Sequence, residues 1–142
     1  MAKTILVMFP LEEGKRLIDA LEQEGIPLKA ALWLYFDEAD EWRLVLASPL
    51  IDTKGPRHVY ERIQAVLDAN KENMSISLSD ISLLSPDDPI IKPLTEALNE
   101  KVANEGMRVK KSVITGKGDD GRHHRQASSV YLEDAYIYFA RK

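Results

Sequence analysis

Cysteine is absent from the chain. That removes a disulfide framework, a thiolate-held zinc and a cysteine nucleophile, and leaves His, Asp and Glu as the available metal ligands. Histidine is scarce, with three in all. Two of them, His123 and His124, are adjacent, so on an extended backbone they point apart and do not share a metal. Long apolar runs are missing as well. The longest uncharged one near the N-terminus, Thr4 to Leu11, contains Pro10 and falls well short of the roughly 20 residues needed to cross a bilayer. One lysine precedes it, and no small-residue cleavage site separates it from Glu12-Glu13-Gly14-Lys15-Arg16, so no secretory signal is expected and the cytoplasm is the expected address. No stretch carries a catalytic or cofactor signature specific enough to name a reaction, and no cofactor is implied.

What is present describes an ordinary globular chain. Its 142 residues are 44% hydrophobic and 30% charged, which predicts one domain spanning residues 1–142. The net charge of −4 hides a division: residues 1–100 hold 10 Lys/Arg against 18 Asp/Glu, and residues 101–142 hold 9 against 5. Such a bipolar chain suits head-to-tail association or an anionic partner on one face.

Hydrophobic spacing predicts the elements. Leu11, Leu17, Ile18 and Leu21 mark an amphipathic helix stopped by Gly25, while Ile5 to Phe9 reads either as a short strand or as the start of that helix. Ala30–Phe36 and Trp42–Ser48, separated by Asp37-Glu38-Ala39-Asp40-Glu41, read as a β-hairpin. Gly55-Pro56 opens a helix with Val59, Ile63, Val66 and Leu67 on one stripe. Met74 to Leu84 alternates like a strand with one wet face, and a helix is expected from about residue 92 to Gly106. Arg108–Thr115 and Val130–Ala140 are predicted strands joined by a polar segment. The predicted class is α+β, in the order α-β-β-α-β-α-β-β, with three helices and a mostly antiparallel sheet of about five strands.

Two predicted strands have no polar side. Leu32, Leu34 and Phe36 oppose Trp33 and Tyr35, and Leu132, Ile137 and Phe139 oppose Tyr131, Tyr136 and Tyr138, with Glu133-Asp134 breaking the alternation as a bulge would. Either helices cover both sides of the sheet, or a face bearing Trp33, Tyr35, Tyr136 and Tyr138 is offered to a partner. Stacking of nucleic-acid bases is a narrower form of the second alternative.

The most unusual stretch is Gly116 to Arg125, where three glycines accompany Lys117, Arg122, His123, His124 and Arg125. It could grip a phosphate, although it is not a P-loop, since a strand follows it. His58 lies three residues before Glu61 on one helical face. Lys54-Gly55-Pro56-Arg57 sets cations at a helix start, where anions are favoured. Asp52-Thr53-Lys54, behind the acidic turn with Asp37 and Asp40, resembles the restriction-endonuclease-like nucleases over residues 11–70. That resemblance implies Mg²⁺ held by Asp52 and an acidic neighbour within about 5 Å, with Lys54 orienting the attacking water, although Pro49 places Asp52 in a loop. Three readings therefore stand from sequence. The first is association with a second copy or another protein, without a cofactor. The second is a Mg²⁺-dependent nuclease or phosphodiesterase, and the third is binding of nucleic acid or phosphate by loop 116–125.

Overall fold

The computed structural model describes residues 8–98, 106–116 and 128–141. The described elements are α1 (Met8–Gln23), β1 (Ala30–Phe36), β2 (Glu41–Ala47), α2 (Leu50–Lys54), α3 (Pro56–Ala69), β3 (Ile81–Leu84), α4 (Ile91–Leu98), β4 (Met107–Thr115) and β5 (Ser129–Ala140). The five strands form one sheet in the order β3-β2-β1-β5-β4. The α+β class and the element order hold, apart from the added short helix α2. The sheet is mixed rather than mostly antiparallel, because the α2–α3 crossover returns β3 parallel to β2.

β1 lies at the centre and is apolar on both sides because both sides are covered. Ala31 and Trp33 face α1 and α3 in a core with Leu17, Ile18, Leu21, Leu44, Leu46 and Ile63. Ala30, Leu32 and Leu34 face α4 in a second core with Val45, Ile91, Leu94 and Ile137. Of the two alternatives left by the sequence, helices on both faces is the one observed. No helix among the described residues is long and apolar enough to cross a membrane.

Gly25 ends α1 as expected. It sits at φ 83°, with its N–H on the Glu22 carbonyl at 3.0 Å and the Ile26 N–H on the Leu21 carbonyl at 3.0 Å, the double closure in which a glycine relieves the left-handed position. Met8 and Phe9 belong to α1, which settles that part of the ambiguous N-terminal run as helix.

The strand expected over Met74–Leu84 is a strand only at Ile81–Leu84. The alternation is real, since Ile76 is buried and Met74 and Leu78 pack against the first core. The backbone donors, however, go elsewhere. The Ser75 N–H donates to the Glu13 carboxylate at 2.5 Å, and the Ser75 hydroxyl adds bonds of 3.0 Å to both of its oxygens, which satisfies a carboxylate that is fully buried in α1. Ser77 and Asp80 then form a capping box that turns the chain into a short 3₁₀ segment. The helix expected up to Gly106 is seen as α4 to Leu98, with 99–105 outside the described residues.

In β5 the alternation fails at two places, for different reasons. Between Ile137 and Phe139 the register against β1 shifts by one, so Tyr138 is the extra residue of a β-bulge. Tyr136, Tyr138 and Phe139 consequently all lean on the first core, which corrects the expectation that Phe139 opposes the tyrosines. At Glu133-Asp134 the register against β4 is the same on both sides, so no bulge forms there. Instead β4 kinks in step, with Lys111 at φ 45°. One consequence is that Gly14 of α1 must stay small. A Cβ there would run into the Tyr138 hydroxyl and ring and the Trp33 indole nitrogen. Gly14→Ala gains about 1 kcal/mol of helix propensity but overpacks a hydrogen-bonded contact at a cost of about 1–3 kcal/mol. A net loss of stability is expected in urea unfolding.

Candidate interaction surface

Three of the four aromatic residues named from sequence, Trp33, Tyr136 and Tyr138, come together against the first core, and Tyr35 stands apart. Trp33 and Tyr35 are 5% and 6% exposed. Trp33 donates its indole N–H to the Tyr138 hydroxyl at 3.0 Å, and that hydroxyl donates to the Leu11 carbonyl at 2.6 Å. Tyr136 packs edge-on against Tyr138, with ring centroids 5.2 Å apart. Burial raises the Tyr138 pKa, and the Trp33 hydrogen bond opposes that rise. Of the expected partner face of Trp33, Tyr35, Tyr136 and Tyr138, Trp33 and Tyr138 are thus packed against the chain's own α1, Tyr136 leans on the same core, and Tyr35 is buried elsewhere. Trp33 and Tyr35 offer a second molecule little surface, and Tyr136 and Tyr138 are half-buried.

Tyr35 lies at the far end of β1, with its hydroxyl on Asp40 at 2.5 Å and its ring 5.6 Å from Trp42. Arg108 of β4 stands over Trp42 at 5.6 Å and grips Asp134 of β5 with two bonds of 2.7 and 2.8 Å. Asp134 is 1% exposed, so this fork is what allows a carboxylate inside the sheet. Glu133-Asp134 interrupts the apolar alternation because Asp134 serves Arg108.

The residues of the nuclease-like reading are held apart. Asp37 and Asp40 are in the turn before β2, whereas Asp52 follows β2. Seven residues of strand separate those ends, a span of roughly 20 Å. Asp52 is in α2 rather than in a loop, and its carboxylate accepts the Ser85 hydroxyl at 3.0 Å. The convergence that reading requires does not occur. His58 and Glu61 are exposed on α3, and Glu61 faces Arg57 at 3.8 Å. Among the described residues no three His, Asp or Glu side chains are grouped as a metal site needs. Lys117, Arg122, His123, His124 and Arg125 lie outside the described residues.

A different surface is left open. Val113 and Tyr131 are 61% and 55% exposed, the large apolar side chains most open to solvent among the described residues. They are directly opposed across β4 and β5, on the face covered by α1 and α3 elsewhere. No β4 residue joins that core. The opposite face of the same hairpin is closed by α4, where Ile114, Val130 and Leu132 pack. The hairpin end is therefore half-dressed, apolar beneath and partly apolar above.

The two edges of the sheet also differ. β3 has four residues, and its Leu83 N–H is taken by the Tyr60 hydroxyl at 3.2 Å. β4 has nine, and no other described strand pairs with its outer side. On the other side of β5, between it and the end of β1, an open cleft of about 430 Å³ has a floor that includes Leu34, Phe36 and Ile90, and an acidic rim of Asp37, Glu38 and Glu133. Sequence reading missed this surface because Val113 and Tyr131 sit in strands like any others. The available signal was that they are cross-strand neighbours next to two lysines, which only the register reveals.

Compared with known proteins, the chain matches no family model, no curated protein and no solved structure.

The acidic turn makes its own prediction. The hydrogen bond to Asp40, with burial and the charges of Asp40, Asp37 and Glu133, pushes the Tyr35 pKa up from 10.0 to about 12. A raised tyrosine pKa contributes stability below pH 10.0, and that contribution is lost as pH climbs toward 12. Asp40→Asn is expected to bring Tyr35 ionisation back toward the ordinary range, as read by ultraviolet difference titration with Tyr35→Phe as the assignment control.

Proposed function

We propose that this is a small cytoplasmic protein that acts by association, as a homo-oligomer or as an accessory subunit, through the end of the β4–β5 hairpin. The single observation that carries the reading is the exposed Val113–Tyr131 pair beside the long outer edge of β4. An exposed sheet edge flanked by apolar side chains is a template for another polypeptide, and proteins that do not use such an edge usually block it. β3 is blocked in that way, by Tyr60, and β4 is only partly guarded, by Lys110 and Lys111. The expected outcome is that the chain, sedimented in an extract of cells that produce it, runs above 16.1 kDa. Tyr131→Lys returns it toward the monomer mass without moving its unfolding midpoint. A species of monomer mass in extract, unchanged by the variant, rejects the reading.

Anion binding is the second reading, favoured by one observation. Lys110 and Lys111 are exposed on β4, and the strand leads directly toward the basic segment Lys117 to Arg125. This reading expects retention on heparin that weakens steeply with salt and is lost when Arg122 and Arg125 become alanine.

A further inference from the structure

We propose that the occupant of the β4 edge is a second copy of this chain, paired antiparallel through β4 about a two-fold axis at Val113, so that two five-stranded sheets become one ten-stranded sheet. This rests on the association reading and names its partner.

The charge pattern along β4 narrows the registers open to a second copy, and the exposed Val113–Tyr131 pair chooses among them. Arg108, Lys110 and Lys111 occupy the first half of the strand, and Ser112 to Gly116 carry no charge. At the boundary the edge is folded in on itself: Lys111 is at φ 45°, and the Ser112 hydroxyl donates to the Lys110 carbonyl at 2.8 Å. Among the described residues, the part of the edge least encumbered by charge and kink is therefore the uncharged run. Pairing β4 with its own copy about Lys110 or Lys111 would set lysine opposite lysine, which is unfavourable. Pairing about Val113 sets Val113 opposite Val113, Ser112 opposite Ile114, Lys111 opposite Thr115 and Lys110 opposite Gly116. No like charges meet. Because Val113 already opposes Tyr131 within the chain, the same register lines up Tyr131, Val113, Val113 and Tyr131 across four strands. The exposed apolar groups of both copies then cover one another. The symmetry closes the edge, because each copy uses the same strand once.

The absence of cysteine makes a direct test clean. In this register the two Val113 Cα atoms are about 4.5–5.5 Å apart, inside the roughly 4.4–6.8 Å range of a disulfide. The two Lys110 positions are offset by six residues, roughly 20 Å. Purified Val113→Cys, oxidised with diamide, is expected to form a covalent dimer quickly, whereas Lys110→Cys stays uncoupled. Purified wild type is expected to sediment as a reversible dimer, and Val113→Lys, at a position already exposed in the monomer, to raise its Kd by roughly tenfold or more while leaving the unfolding midpoint in place. If the purified chain is monomeric at every concentration while the extract species is large, the second copy is rejected and the association reading survives. If both are monomeric, both fall. A dimer that couples equally well through Lys110→Cys, or that ignores Val113→Lys, rejects this register.

Discussion

The whole arrangement depends on one strand being dry on both sides. β1 donates and accepts along β2 and β5, and every residue from Ala30 to Tyr35 is buried. A strand in that position cannot rest on one helical layer, since an uncovered second face would expose Leu32 and Leu34, each worth about 1.5–3 kcal/mol when buried. The fold answers with α1 and α3 on one side and α4 on the other. That requirement also fixes the fate of the rings: Trp33 is on the side that α1 must cover, and Gly14 lets the helix come close enough for Tyr138 to reach the Leu11 carbonyl.

Much of this was legible in the sequence. Ala30 to Phe36 has no polar position, and that run alone announces a central strand; its span and that of its hairpin partner match the structure to within one residue. Pro56 behind Gly55 marked the start of α3, and Gly25 the end of α1, because each residue has a backbone reason to be there. What failed was inference from alternation alone. Met74 to Ser79 has the period of a strand, yet Ser75 spends its N–H on Glu13, a residue 62 positions away. No local pattern carries that information. Tyr138 and Phe139 likewise share a face only because the register slips between β1 and β5.

The proposed interaction surface was harder to read for the same reason. Aromatic content pointed at Trp33, Tyr35, Tyr136 and Tyr138, since rings are the side chains that dominate both cores and interfaces. Sequence cannot divide those two uses, because the division depends on where a helix lies. Here α1 takes Tyr138 and the first core Tyr136, and the hairpin keeps Tyr131, whose pKa is raised by its hydroxyl's bond to Glu133, with burial and the charges of Glu133 and Asp37 adding. One strand thus contributes rings to the core and to the surface, a few residues apart.

The unequal treatment of the two sheet edges follows from chain connectivity. β3 is reached by the helical crossover through α3, so Tyr60 of that helix is at hand to cap Leu83. β4 is joined to β5 through residues 116–128 and has no such helix beside its outer side among the described elements. What guards it is charge and a kink, both placed at residues 110–112. A guard placed there protects half a strand. Had the edge been selected only to stay solvent-facing, a charge at 113 or 131 would have completed the protection at little cost to the monomer, since both positions are already exposed. Instead both are apolar and face each other, the arrangement from which the proposed pairing with a second copy is argued, with the lysines opposing the registers that would set them against one another.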